Sequence, residues 1–276
     1  MDVSRDEFEA LRADADPIRQ ARRATELLVI YGQRTTELAR LRRAAIDRAH
    51  DELGMSYTEV ASKVGITKGR VTQLRKTAPP VERAFFGVGP VTVGIPLRAI
   101  GDRAHAVIAS EDDVAAERLT GILESLSLAA ERFQIPPTGE WDPPADAVAI
   151  CGPKSSHVTA EAIKADPYLS FEPDEDGRWV ITDRDTGDVF VSPADTGDPT
   201  QDIAYIARLN RHSRVLLIVA GVHALGSVGA VEYLRRHLAE TYAAVGDAPF
   251  SLVVTSTFDG TAVKGTEALW GPRVHA

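Results

Sequence analysis

Residues Met55 to Lys76 read MSYTEVASKVGITKGRVTQLRK, and this stretch decides the first part of the fold. Ser56 or Tyr57 opens a short helix that puts Val60, Ala61 and Val64 on one face. Gly65 stands where the chain must turn sharply, because a positive φ is easiest for glycine. Ile66 packs under that turn, and Thr67 is a good N-cap for a second helix with Val71 and Leu74 pointing inward. Two short helices around such a turn make a helix-turn-helix at residues 56–76, whose second helix enters the major groove of double-stranded DNA. Thr67, Lys68, Arg70, Thr72, Gln73, Arg75 and Lys76 then form the DNA-facing set. Arg and Lys read guanine edges or hold phosphates, and Gln pairs with adenine. Thr77-Ala78-Pro79-Pro80 ends the helix.

Toward the N-terminus, residues from about Arg5 to Leu53 carry apolar side chains at helical spacing, with Phe8, Leu11, Ile18, Leu27, Leu38 and Leu41 among them. Asp16-Pro17 interrupts the pattern, so a new helix starts there with Asp16 as cap and Pro17 in the first turn. Gly32 is a second expected break. Arg34, Arg40, Arg42, Arg43 and Arg48 crowd the end of this region, and Arg42 and Arg43 are expected phosphate contacts. Glu59-Val60-Ala61, Val64-Gly65-Ile66-Thr67 and Gly69-Arg70-Val71-Thr72-Gln73-Leu74, with the Arg-rich helix before them, resemble the helix-turn-helix of region 4 of bacterial sigma factors. They look particularly like the small sigma-factor-like DNA-binding proteins common in actinobacteria. The resemblance covers roughly Ala24 to Lys76 and implies DNA binding; no counterpart of sigma region 2 is visible, so it does not imply promoter melting. The plain alternative is a helical hairpin with a glycine turn.

Beyond the double proline the composition changes. Val91–Ile95, His105–Ala109, Ala147–Cys151, Val215–Ala220 and Phe250–Thr255 read as strands, rich in β-branched residues. Glu111–Phe133, Ser156–Ala165, Thr200–Arg211 and Val228–Val245 read as helices, and Pro136 to Pro144 as a rigid loop. Residues 168–192 suggest an antiparallel excursion. Alternating strands and helices predict a mostly parallel sheet covered on both faces. The expected class is α plus α/β: a helical DNA-binding domain over 1–80, then a Rossmann-like α/β domain over 90–276.

Two strand-to-helix loops draw the chemistry. Cys151-Gly152-Pro153-Lys154-Ser155-Ser156-His157 is one; Gly221-Val222-His223-Ala224-Leu225-Gly226-Ser227-Val228-Gly229 is the other. Ligands of open α/β sheets lie beyond the carboxyl ends of strands, where helix N-termini offer free N–H groups to a phosphate. Gly152, Lys154, Ser155, Ser156, Gly221, His223, Gly226, Ser227 and Gly229 are the expected ligand-binding residues. Neither loop spells a Walker A or a clean dinucleotide fingerprint. Glu111-Asp112-Asp113 suits a ribose hydroxyl or general-base chemistry, or simply complements a helix N-terminus. Asp202, Tyr205, Arg208 and Asn210 fall together on the expected helix 200–211, as a pocket lining or as surface pairs. Cys151 ends an apolar strand and reads as a small buried hydrophobe, not a nucleophile.

The 276 residues carry a net charge of −9, unevenly spread. Residues 1–80 hold 15 Lys and Arg against 12 Asp and Glu, and the remainder 16 against 28, so one end suits a polyanion. One cysteine and seven histidines exclude an internal disulfide and a Cys-rich zinc site. The longest apolar run, Val215–Val222, is far short of the roughly 20 residues a membrane helix needs. The acidic start Met-Asp-Val-Ser-Arg-Asp-Glu does not suit a signal peptide. The chain therefore reads as a cytoplasmic, homodimeric transcription regulator that senses a nucleotide or other small phosphorylated molecule. No metal and no catalytic residue is expected on that reading. The alternatives are a nucleotide- or nucleoside-processing enzyme fused to a DNA-binding domain, or an interaction domain with empty loops.

Overall fold

Asp16 and Pro17 start a helix of 35 residues: the Asp16 carboxylate accepts from the N–H groups of Ile18 (2.9 Å) and Arg19 (3.3 Å), and Pro17 fills a position that needs no donor. The computed structural model describes residues 3–101, 105–143, 145–211 and 214–275. The chain divides into two units, Met1–Val81 with Val88–Pro90, and Glu82–Gly87 with Val91–Ala276.

The first unit is helical: α1 (Val3–Ala13), α2 (Pro17–Asp51), α3 (Tyr57–Val64) and α4 (Lys68–Thr77). Gly32 makes no break, and α2 extends about 52 Å at 1.5 Å per residue. Phe8 of α1 stacks on Tyr31 of α2 (5.8 Å), and Glu7 binds both Arg23 (2.9 Å) and the Tyr31 hydroxyl (3.0 Å). The C-terminal part of α2 gives Ile46 to a small core with Val60, Ala61, Val71 and Leu74. Val64, expected inside, is 52% exposed.

The second unit is built on a seven-stranded sheet. Its strands are β1 (Val91–Pro96), β2 (Ala130–Ile135), β3 (Asp146–Ala149), β7 (Gln201–Arg211), β8 (Arg214–Gly221), β9 (Phe250–Asp259) and β10 (Ala262–Val274), in the order β10-β9-β7-β8-β3-β1-β2. A separate antiparallel sheet holds β4 (Leu169–Pro173), β5 (Trp179–Asp183) and β6 (Val189–Phe190), where the sequence suggests an excursion. β2, β1, β3 and β8 are parallel neighbours, whereas β7 pairs antiparallel with β8 and β9, and β10 with β9. Five strands thus share one direction, and β7 and β10 oppose it. The sheet is mixed.

Helices α5 (Ser110–Ser125) and α7 (Ala224–Val245) pack with one core, and α6 (His157–Lys164) with the other, which it shares with the small sheet. Strand β8 alternates between them: Leu217 and Val219 face one core, Leu216, Ile218 and Ala220 the other. Residues 82–87, outside both domains expected from the sequence, belong to this unit. Phe85 and Phe86 lie in its core, Arg83 donates to the carbonyls of Leu126 (3.1 Å) and Ser127 (2.5 Å), and Arg208 donates to those of Phe85 (3.0 Å) and Ala84 (3.3 Å).

Three expected elements differ. Residues 200–211 are strand β7, not a helix: Asp202, Ala204, Ile206 and Arg208 point one way, Ile203, Tyr205 and Ala207 the other. Both faces are buried, so no polar–apolar alternation marks the strand in the sequence. Tyr205 therefore parts from Asp202 and Arg208. The helix expected over 111–133 stops at Ser125, where Ser127 adopts a φ of +61°, and the chain returns as β2. Residues 105–109 make only one bridge, Val107 with Arg98, before Ala109 caps α5. The loop from Pro136 contains no helix or strand through Pro143, and Pro144 lies outside the described residues. Among the described residues no helix is long and apolar enough to cross a membrane.

Candidate functional site

The starts of both α3 and α4 are fixed by side chains. The Ser56 hydroxyl accepts from the Glu59 N–H (3.3 Å) while the Glu59 carboxylate accepts from the Ser56 N–H (2.8 Å), a reciprocal capping box. Gly65 turns the chain at φ +75°, and the Thr67 hydroxyl accepts from the Arg70 N–H (3.1 Å) to open α4. Val71 and Leu74 are buried, leaving Lys68, Arg70, Thr72, Gln73 and Lys76 exposed along one helix. Arg70 reaches Gln73 (Nη1 to Oε1, 2.7 Å), so the two act as one polar group.

Arg75 is placed otherwise. Its guanidinium lies 2.6 Å from Asp47 of α2 and 4.3 Å from the centre of the Tyr57 ring, which itself stacks on His50 (4.2 Å). Arg43 approaches the same carboxylate (3.5 Å). Arg75 thus ties α4 to α2 and α3. Arg42 is exposed on α2.

In the second unit, the two loops singled out by the sequence follow β3 and β8, which are parallel neighbours, and so open at the same carboxyl edge. Strand β1 leads to α5 on one face and β3 to α6 on the other, so the connections diverge between them. That is where open α/β sheets bind ligands. A cleft of about 780 Å³ lies there. Gly152, Lys154, Ser155, Gly221, His223 and Ser227 line it, joined by Arg98 after β1, Phe171 and Trp179 of the small sheet, Arg178 of the turn between β4 and β5, and Asp195.

Ser156, Gly226 and Gly229 are not in the lining. Ser156 is buried and caps α6 by accepting from the Thr159 N–H (3.2 Å). A Cβ on Gly226 would stand 2.5 Å from the Ile203 carbonyl and 2.7 Å from the Asp202 carboxylate, and one on Gly229 would meet the Ser256 side chain. Both glycines let α7 press onto the sheet. Asp202 explains the first contact. Its Oδ2 accepts from the N–H groups of His223 (3.1 Å) and Gly226 (2.7 Å), and its Oδ1 from the Ser192 hydroxyl (2.7 Å) and the Ile203 N–H (2.9 Å). Burial pushes this carboxyl up, while the hydrogen bonds and His223 pull it back in part. The positive end of α7 is therefore met by an internal carboxylate. Arg98, Lys154, Arg178 and His223 are the basic side chains of the cleft.

Those side chains are unevenly committed. Arg98 pairs with Asp112 (2.7 Å), whose carboxyl burial pushes up and Arg98 pulls down. Arg178 pairs with Asp174 (2.8 Å) and Asp176 (3.0 Å) of its own turn. Lys154 is exposed and makes no ion pair among the described residues. His223 Nε2 lies 3.0 Å from Asp195 Oδ1. Cys151 is buried, and desolvation pushes its thiol up to about 12, so it supplies no thiolate near neutrality. Among the described residues, no group of three or more His, Cys, Asp or Glu is arranged to hold a metal. A second hollow of about 650 Å³ follows the edge strand β2, where Phe133 stacks on Trp141 (5.8 Å).

Asp195 and the aromatic wall of Phe171 and Trp179 are not evident from the sequence as site residues, because they enter from turns and strands distant in sequence. Asp202, expected as a pocket lining or a surface pair on a helix, is a buried strand residue that caps α7 and does not line the cleft. Compared with known proteins, the chain matches no family model, no curated protein and no solved structure.

Proposed function

We propose that the protein is a DNA-binding transcription regulator whose second unit senses a nucleotide or another small phosphorylated molecule. The observation that carries the first half is α4. It is capped by Thr67, seated by Val71 and Leu74, and turns Lys68, Arg70, Thr72, Gln73 and Lys76 outward. Helix, glycine turn and basic second helix are what a sigma-region-4-like helix-turn-helix requires for the major groove. Arg42 contacts phosphates from α2, and Arg75 holds the helix in place. A single such motif gives little specificity, so the regulator works as a homodimer on two half-sites. Its compartment is the cytoplasm.

The second half rests on the cleft. Glycine-bordered loops after two neighbouring parallel strands, cationic Arg98 and Lys154, and aromatic Phe171 and Trp179 suit a nucleotide in a Rossmann-like domain. Nucleotide binding alters DNA affinity to the extent that it favours one DNA-binding state over the other.

Retention of labelled duplex DNA by the full chain, measured over a salt series, tests the reading. Binding whose logarithm falls linearly with log salt is expected. No retention at low salt would overturn it.

A further inference from the structure

His223 is the N-cap residue of α7, yet its side chain makes no capping bond. Asp202 satisfies the helix end instead, through the His223 and Gly226 N–H groups. The imidazole is left for the cleft, which it lines with its side chain 47% exposed. Asp195, in the 3-10 turn Pro193–Thr196, holds Nε2 at 3.0 Å. The other Asp195 oxygen is shut off from solvent and has no hydrogen-bond partner. An imidazole oriented by a carboxylate, with no hydrogen bond to its second nitrogen among the described residues, is the arrangement of a general base.

Lys154 follows β3 and His223 follows its parallel neighbour β8, and both line the cleft together with Arg98. A phosphate held there by Lys154 and Arg98 would face the ring. Asp112 is tied to Arg98 (2.7 Å) and Lys154 is assigned to the phosphate, so among the described residues of the cleft His223 is the group placed to act as a base. One base suffices for a phosphoanhydride, since the departing phosphate needs no proton. An ester would demand a second acid for its alkoxide.

We infer that His223 is a catalytic general base, positioned by Asp195, and that the cleft hydrolyses the terminal phosphoanhydride of a nucleoside di- or triphosphate. The inference rests on the nucleotide reading of the cleft. The ring nitrogen not bonded to Asp195 takes a proton from water, and the water oxygen bonds to the terminal phosphorus. The bridging O–P bond breaks, and its electron pair leaves on the shortened nucleotide. The proton on His223 then passes to solvent. Inorganic phosphate and a nucleotide one phosphate shorter are the products, so the sensor resets its own signal.

The full chain is mixed with the magnesium complexes of ATP, GTP, CTP and UTP and of their diphosphates. Phosphate release and calorimetric binding are measured on the same samples. Wild type should release phosphate from at least one of them. His223→Ala should cut kcat by about a hundredfold or more, with part of the rate restored by added imidazole. Asp195→Asn should lower kcat by about tenfold with KM within twofold. Binding without phosphate release by wild type overturns the inference and leaves the nucleotide reading standing. Undiminished turnover by His223→Ala also overturns it. No binding of any nucleotide overturns both.

Discussion

Asp202 and Gly226 are pressed together: the Asp202 carboxylate accepts the Gly226 N–H at 2.7 Å, and a Cβ on the glycine would stand 2.7 Å from the same oxygen. Strand β7 and helix α7 are joined at this point. The contact makes Gly226 a packing glycine, and it places inside the protein the negative charge that a helix N-terminus attracts. Asp202→Ala strips that cap and takes the carboxylate acceptor from the Ser192 hydroxyl and from the N–H groups of Ile203, His223 and Gly226. It should cost the second unit about 3 kcal/mol in urea unfolding. Gly226→Ala should cost at least as much, because its Cβ meets backbone as well as a side chain. A soluble Gly226→Ala protein with an unchanged midpoint would contradict this packing.

Glu232, an acidic residue of α7, sets a pH dependence. Arg235, hydrogen-bonded to Glu232 (2.8 and 2.7 Å), holds the carboxyl at about 2 against the upward push of burial, with help from Arg236 (2.6 Å). The folded value lies below the ordinary 4.5, so the stabilisation is complete above about pH 4.5 and is lost as pH falls toward about 2. Glu232→Gln should therefore lower the melting temperature at neutral pH, by the equivalent of about 1–2 kcal/mol. The gap between the two proteins should narrow steadily as the pH falls below 4.5. A gap that stays constant down to the acid transition would contradict the assignment.

Arg70 and Arg75 lie on one helix with different expected roles. Arg75→Ala removes the contacts to Asp47 and the Tyr57 ring and should destabilise the first unit by about 1 kcal/mol. Arg70→Ala should leave thermal unfolding unchanged and weaken specific DNA binding by about 1–3 kcal/mol. Circular dichroism melts and anisotropy titrations on the same two variants separate the roles; identical effects from both would contradict the division.

Cys151 should be inert in the folded protein. Burial pushes its thiol up to about 12 and shields it from reagents. An aromatic disulfide reagent at pH 8 should label it only after denaturant is added. Rapid stoichiometric labelling of the native chain would contradict the burial.

Local chemistry was legible where it decides structure locally. Asp16-Pro17, Ser56 with Glu59, Gly65 and Thr67 each cap or turn a helix by contacts within a few residues, and the structure places each as their chemistry requires. The apolar run Val215–Ala220 was likewise legible as a buried strand. Strand β7 was not, because Ile203 to Ala207 are buried on both faces and lose the alternation that separates strand from helix. The sequence marks both loops and suggests four of their glycines, Gly152, Gly221, Gly226 and Gly229, as ligand contacts. Gly226 and Gly229 instead serve contacts with β7 and β9, which follow only from sheet order. Arg75 sits nearest the buried Val71–Leu74 side of α4, and its pairing with Asp47, 28 residues away, depends on how α2 crosses α4.

The central claim is that α4 reads DNA sequence, and selection from a random duplex library by the full chain tests it most directly. Wild type should enrich a defined motif at moderate salt, and Arg70→Ala/Gln73→Ala should lose enrichment at particular bases while keeping weak, salt-sensitive retention of all duplexes. No enriched motif with wild type, or the same motif from the double variant, would contradict the account.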